Sequence, residues 1–165
     1  MCHPAQLTIE QLLVDCRVQH TRGTGPGGQH RNKVQTAVVI EHVPTGVHGE
    51  ASERRSQADN RQQAIQRLRV NLALAFRCSP QSMPPPLWQQ RVQRGRIAVN
   101  PDHEDFPALL SIALDTIWAQ QFVMATAADA LKVTTSQLVK LLKIAPAALV
   151  VVNRERQTLG KSPLR

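Results

Sequence analysis

Arg22–Gln35 reads "RGTGPGGQHRNKVQ". Four glycines and a proline fall within six residues, and a glutamine and a run of cations follow at once. A β-branched segment, "QTAVVIEHV", comes next, then the turn signal Pro44-Thr45-Gly46 and the hairpin partner "VHGEASE". Before the loop, "DCRVQHT" alternates as a strand does. A glycine-rich loop between two strands therefore decides the architecture of this half. From Ser56 the period becomes helical. Ala64, Ile65, Leu68, Leu72 and Ala73 fall on one face, with Arg61, Arg67 and Arg69 elsewhere. A helix over a small antiparallel sheet is an α+β module. Thr8, three residues before Gln11, predicts a capping box on a short leading helix.

Pro80 and Pro84-Pro85-Pro86 mark a boundary and an extended connector. The expected division is a first module over 1–77, a Pro-rich linker over 78–90 and a helical module over 91–165. The second module opens basic, "RVQRGRIAVNPDHEDF". Asp105 before Phe106-Pro107 suits the start of an apolar helix, "ALLSIALDTIWAQQF". "AADALKV" and "TSQLVKLLK" predict two shorter helices, and Pro146 opens a last one. This half is all-α by pattern. "TAADALKVTTSQLVKLL" resembles a helix-turn-helix, with Thr126 as first cap, Ala128 and Leu131 packing, and Leu138, Leu141 and Leu142 burying the second helix. Its exposed candidates are Thr135, Ser136, Gln137 and Lys140.

The 165 residues carry 20 Lys+Arg against 12 Asp+Glu, a formal net charge of +8. Such a balance favours a polyanionic partner. No apolar run approaches the roughly 20 residues of a membrane span, and the N-terminus lacks the pattern of a secretory or transit segment, so the expected location is cytoplasmic with no membrane partner. Cys2, Cys16 and Cys78 are scattered and suggest neither a disulfide nor a metal site, and no cofactor is implied.

Three glycine-loop chemistries compete on the residues alone. Gly23, Gly25 and Gly28 fit G-x-G-x-x-G, but a β-branched segment broken by Pro44 follows where a dinucleotide-binding helix should start. A phosphate loop from Gly23 to Gly28 would need Lys and Ser or Thr next, where Gln29 and His30 stand. A plain surface loop explains the glycines but not Gln29, Asn32 and Lys33 flanked by Arg22 and Arg31.

A fourth reading accounts for all of them. "GGQHRNKVQTAVVIEHVPTGV", followed by "ERRSQADNRQQAIQRL", resembles the catalytic domain of peptide chain release factors across about residues 15 to 74. The shared features are Gly-Gly-Gln, an Asn three residues on, a strand ending in His-x-Pro-Thr-Gly, and Arg-Ser-Gln-x-x-Asn-Arg before a helix. No codon-reading domain is legible. "GPGGQ" and the Lys33-Val34 after Asn32 are similar to the stand-alone branch, which rescues stalled ribosomes without reading a codon.

The resemblance implies codon-independent hydrolysis of peptidyl-tRNA on stalled ribosomes or large subunits, with large-subunit rRNA and peptidyl-tRNA as partners. It assigns catalysis to Gly27, Gly28 and Gln29. The Gln29 backbone N–H stabilises charge at the ester, a role typically worth ~3–4 kcal/mol. The two glycines let the main chain approach closely. It also implies methylation of the Gln29 amide by a glutamine methyltransferase. Arg22, Arg31 and Lys33, and in the second module Arg91, Arg94 and Arg96, are the expected RNA-binding cations. The rival expectation is a catalytically silent RNA- or DNA-binding protein that works through its helical module.

Overall fold

The computed structural model describes residues 3–21, 36–80 and 82–165. A 3-10 turn at Pro4–Gln6 leads into helix α1, Ile9–Val14. The expected capping box closes it: Gln11 N–H donates to Thr8 Oγ1 at 3.3 Å, and Thr8 N–H to Gln11 Oε1 at 3.2 Å. Strands β1 (Cys16–Thr21), β2 (Ala37–His42) and β3 (Val47–Ala51) form an antiparallel sheet in that order. Val38 and Ile40 of β2 stand beside Ala51 and Gly49 of β3, and these residues form its buried face.

Helix α2, Gln57–Ala75, covers that face. Its cap is Ser56, whose Oγ accepts from Asp59 N–H at 3.2 Å. The expected apolar stripe is buried without exception, from Ala64 to Ala73. Arg61 and Arg67 point to solvent as the period requires, but Arg69 does not. Arg69 is 6% exposed, and its guanidinium donates to Ala5 O at 3.1 Å and Glu104 O at 2.6 Å. A helical wheel assigns Arg to solvent by default. Here other segments of the chain cover that flank and offer carbonyls in place of water.

Ahead of the next helix Pro85 is extended, at φ −59° and ψ 156°. Pro86 then opens a helix, α3 (Pro86–Arg91), because proline at the first helical position forfeits no helical hydrogen bond. Within it Trp88 is 1% exposed, and its Nε1–H donates to Leu131 O at 2.8 Å. The second half is helical, as the pattern predicts, but opens on a small hairpin of β4 (Val92–Gln93) and β5 (Arg96–Ile97). Arg94 and Gly95 at its tip have φ of 50° and 73°. Positive values at both positions are what a two-residue hairpin turn demands.

Helix α4, Phe106–Ala119, is central. Every residue from Phe106 to Ile117 is buried, so the helix has no solvent face. It packs on α2 and on α5 (Met124–Ala130), α3 and α6 (Thr135–Ile144), and α7 (Pro146–Thr158) packs on α6. One apolar core runs from Leu12 and Ile40 through Leu110 to Val152. The protein is thus α+β: a three-stranded sheet and its helix, followed by a bundle of short helices.

The turn between α5 and α6 departs from expectation in one detail. Thr126 lies inside α5, with its hydroxyl on Val123 O at 2.9 Å, and caps nothing. The cap that forms is Thr134 on α6, whose Oγ1 accepts from Gln137 N–H at 3.3 Å. Ala128, Leu131, Leu138, Leu141 and Leu142 are all buried, as the helix-turn-helix pattern requires.

Candidate functional site

Gly27, Gly28 and Gln29, with Arg22, Arg31 and Lys33, lie outside the described residues; the structure gives the stems that carry them. Thr21 ends β1, Ala37 begins β2, and the two are cross-strand partners. Residues 22–36 therefore connect neighbouring antiparallel strands.

The return stem is fastened by Asn60. This side chain is wholly buried in the first turn of α2. Its Nδ2 donates to Thr36 O at 2.7 Å and to Arg54 O at 2.9 Å, and its Oδ1 accepts from Arg54 N–H at 2.9 Å. An amide suits this position because both its ends are used. One side chain thus ties the loop stem, the approach to α2 and α2 itself. The signal was present in the sequence as the Asn of Arg-Ser-Gln-x-x-Asn-Arg, but only the fold shows that its partner is the loop stem.

The far end of the same hairpin explains His-x-Pro-Thr-Gly. His42 is 4% exposed, and its Nδ1 lies 2.8 Å from the Thr45 hydroxyl. Burial holds its pKa below the ordinary histidine value, against an opposing pull from Asp15. Thr45 and Gly46 N–H both donate to His42 O, at 3.1 and 2.9 Å. Gly46 has φ 68°, which Gly adopts at no steric cost. This signature is a turn lock, at the opposite end of β2 from the loop stem. Between the two ends, the outer face of the sheet is a shallow groove of about 280 Å³ lined by Arg17, Gln19, Glu41, His48 and Glu50 among others.

The second expected cluster is partly committed to structure. Arg91 Nε donates to Asp105 Oδ2 at 3.0 Å, and its terminal nitrogen contacts the same oxygen and His103 Nε2. Asp105, placed at the start of α4, therefore spends its carboxylate on Arg91 and makes no side-chain cap. Arg94 and Arg96 are exposed on the hairpin. Sequence reasoning did not place that hairpin beside α6: Thr134 N–H, at the cap of α6, donates to Gly95 O at 3.1 Å.

The passage from α2 to the bundle holds a buried ion pair. Arg77 caps α2 by donating to Ala73 O and Leu74 O at 2.7 and 2.6 Å, and its guanidinium stacks 4.5 Å from the Trp118 ring. It stands 3.8 Å from Asp115, a carboxylate 4% exposed that accepts from Cys78 N–H at 3.0 Å. Burial pushes the Asp115 pKa up to about 6, against that hydrogen bond and Arg77.

The described residues thus form a three-stranded meander with a long β1–β2 connection, braced by the helix after β3. The family model described as the RF-1 domain matches residues 6–96, more than half of the chain, and the protein belongs to that family. It is 43% identical over 67 residues to peptide chain release factor 1 of Akkermansia muciniphila, covering 41% of this chain and 19% of the relative. It is 45% identical over 69 residues to the mitochondrial peptide chain release factor 1-like protein of Rattus norvegicus, covering 42% of this chain and 18% of the relative. The matches thus span about a fifth of the length of these curated relatives. Among the described residues, no helix is long and apolar enough to cross a membrane.

Proposed function

We propose that this protein hydrolyses the ester of peptidyl-tRNA on stalled ribosomes or large subunits without reading a stop codon. The observation that carries the reading is Gly27-Gly28-Gln29, set between β1 and β2 of a chain that belongs to the RF-1 domain family. Codon independence rests on the similarity of "GPGGQ" and Asn32-Lys33-Val34 to the rescue branch.

In this mechanism the Gln29 N–H donates to the oxygen that gains charge in the tetrahedral state, and the Gln29 side chain limits which nucleophile enters. Gly27 and Gly28 have no Cβ to hold the main chain off the ester. No general base is drawn from the loop. Rate enhancement comes from positioning and electrostatics, with ribosomal RNA supplying most of the cavity. Arg22, Arg31 and Lys33 neutralise phosphates near the loop. Residues 1–77 carry the chemistry, while 91–165 supply affinity through Arg94 and Arg96, on a hairpin that Arg91 braces. Methylation of the Gln29 amide by a dedicated methyltransferase would tune the loop.

The test is peptide release from ribosomes stalled without a stop codon and from separated large subunits loaded with peptidyl-tRNA. Purified protein is assayed with Gln29 methylated and unmethylated, beside Gln29→Ala. Release by the parent and its loss in Gln29→Ala are expected. No release in any state would leave the nucleic-acid-binding reading, favoured by the exposed Thr135, Ser136 and Lys140 on α6. That reading predicts sequence-preferring duplex DNA binding that Gln29→Ala leaves untouched.

A further inference from the structure

The β4–β5 hairpin and α6 are separate in sequence but adjacent in space. The bond from Thr134 N–H to Gly95 O seats the hairpin tip against the start of the helix, and a Cβ on Gly95 would lie 3.7 Å from Thr134 Cγ2. Two open grooves run along these elements and share Arg91 and Ala98. One, of about 720 Å³, is lined by Gln90, Gln93, Arg94 and Arg96. The other, of about 530 Å³, is lined by Asn100, His103, Gln137 and Lys140 together with the apolar Ile97, Val99, Leu141 and Ile144. Arg91 belongs to both. Neither groove is lined by an Asp or Glu, although Arg91 is held by Asp105 from behind. Cations and amides therefore rim two adjoining grooves, the second with apolar residues between them, and Ser136 and Lys143 extend this rim along the exposed side of α6.

The lining chemistry selects a ligand. Arginine, lysine and side-chain amides are the groups that hold phosphates and sugars. No Phe, Trp or Tyr lines either groove, and of the other flat groups His103 and Arg91 are engaged with each other and with Asp105, which disfavours a platform for stacking unpaired bases. A surface of this kind suits a helical backbone recognised by shape and charge.

We infer that the Val92–Ile97 hairpin and helix Thr135–Ile144 form one docking surface for the backbone of double-helical RNA, with Arg94, Arg96 and Lys140 as phosphate contacts. Arg91 is the brace that holds the hairpin to α4. The assignment to RNA, and to ribosomal RNA in particular, rests on the function proposed above. Splitting the contacts between a hairpin and a helix gives the surface direction as well as charge: a duplex must lie along both grooves to satisfy all three cations.

The full-length protein is titrated with a labelled RNA duplex, the matching DNA duplex and the single RNA strand over a range of salt. Arg94→Ala/Arg96→Ala should weaken duplex RNA binding about tenfold or more and lower the log–log salt slope by about two, and Lys140→Ala should lower it by about one. Arg154→Ala, whose cation lines neither groove, should leave the slope unchanged, and each variant should keep the parent's thermal transition. A slope that ignores Lys140→Ala overturns the composite surface. An equal loss in Arg154→Ala shows diffuse charge attraction and overturns it too. Equal affinity for the single strand or for DNA overturns the choice of duplex RNA. Gln29→Ala separates this proposal from the catalytic one, since it should bind as the parent does and release nothing. A parent that binds through these cations but releases no peptide removes only the ribosomal assignment.

Discussion

Gly49 on β3 lies directly beneath Leu68 on α2, so close that a Cβ on Gly49 would stand 2.8 Å from Leu68 Cα and overlap Leu68 N and Ala64 O. The obstructing atoms are helix backbone, which no rotamer change can move. Sheet and helix therefore meet at a distance only glycine permits. Gly49→Ala should destabilise the protein by about 3 kcal/mol, at the upper end for a methyl forced into a packed interior. Gly46 is the contrast, because its positive φ has open space around it. Gly46→Asn should cost no more than about 1 kcal/mol, since Asn tolerates that region. Denaturant unfolding of the two variants checks the pair.

Asn60→Ala leaves Thr36 O, Arg54 O and Arg54 N–H without their partner. The expected cost is about 2 kcal/mol, in line with several part-buried groups stripped at once. Asn60→Asp keeps the acceptor and loses the donor to Thr36. If the proposed activity holds, Asn60→Asp should lower kcat for peptide release more than it raises KM, because the loop stem is misplaced while ground-state contacts remain. Equal kcat with full stability would show that Thr36 needs no anchor.

Arg69→Ala removes the donors that satisfy Ala5 O and Glu104 O and detaches the N-terminal turn from α2. A loss of about 3 kcal/mol is expected. Arg69→Lys should recover only part of it, since one ammonium cannot span carbonyls that the planar guanidinium reaches together. Chemical denaturation of both variants reads this directly.

Asp115 makes stability depend on pH in an unusual sense. Its folded pKa of about 6 lies above the ordinary value of 3.8, so between these limits the folded state binds more protons than the unfolded state. Stability from this group is therefore fully present below pH 3.8, falls as pH rises to about 6, and is flat above. A shift of that size corresponds to about 3 kcal/mol. Asp115→Asn should flatten this part of the profile. The difference between parent and variant stability, measured by denaturant at stepped pH, isolates it from other carboxylates. A parent-minus-variant difference that does not change across this window refutes the shift.

The local patterns in the sequence were legible because local chemistry produces them. Alternation marks β1 and β-branching β2, the Thr8–Gln11 reciprocity marks α1, and proline in the first helical turn marks α4 and α7. The stripe from Ala64 to Ala73 named the buried face of α2 because burial of one face imposes the helical period. The family motifs were equally legible, as was the location of the glycine loop between two strands.

Contacts between distant segments were not legible, since periodicity reports only that a face is covered, not by what. Arg69 follows the rule for a solvated cation until Ala5 and Glu104 arrive beside it. Asp105 looks like a helix cap until Arg91 competes for its carboxylate with a stronger, charge-assisted bond. Asn60 becomes the anchor of the loop stem only when Thr36 is brought to it by strand pairing, and Arg94 and Arg96 join Lys140 only because Gly95 accepts from Thr134. Sequence by itself determined most of the helices, the strands of the first sheet and the residues of the loop, because those depend on neighbours within a few residues. Tertiary structure alone decided which polar groups are consumed inside the protein and which stay outward for a partner, because that choice turns on the water each group loses when another segment packs over it.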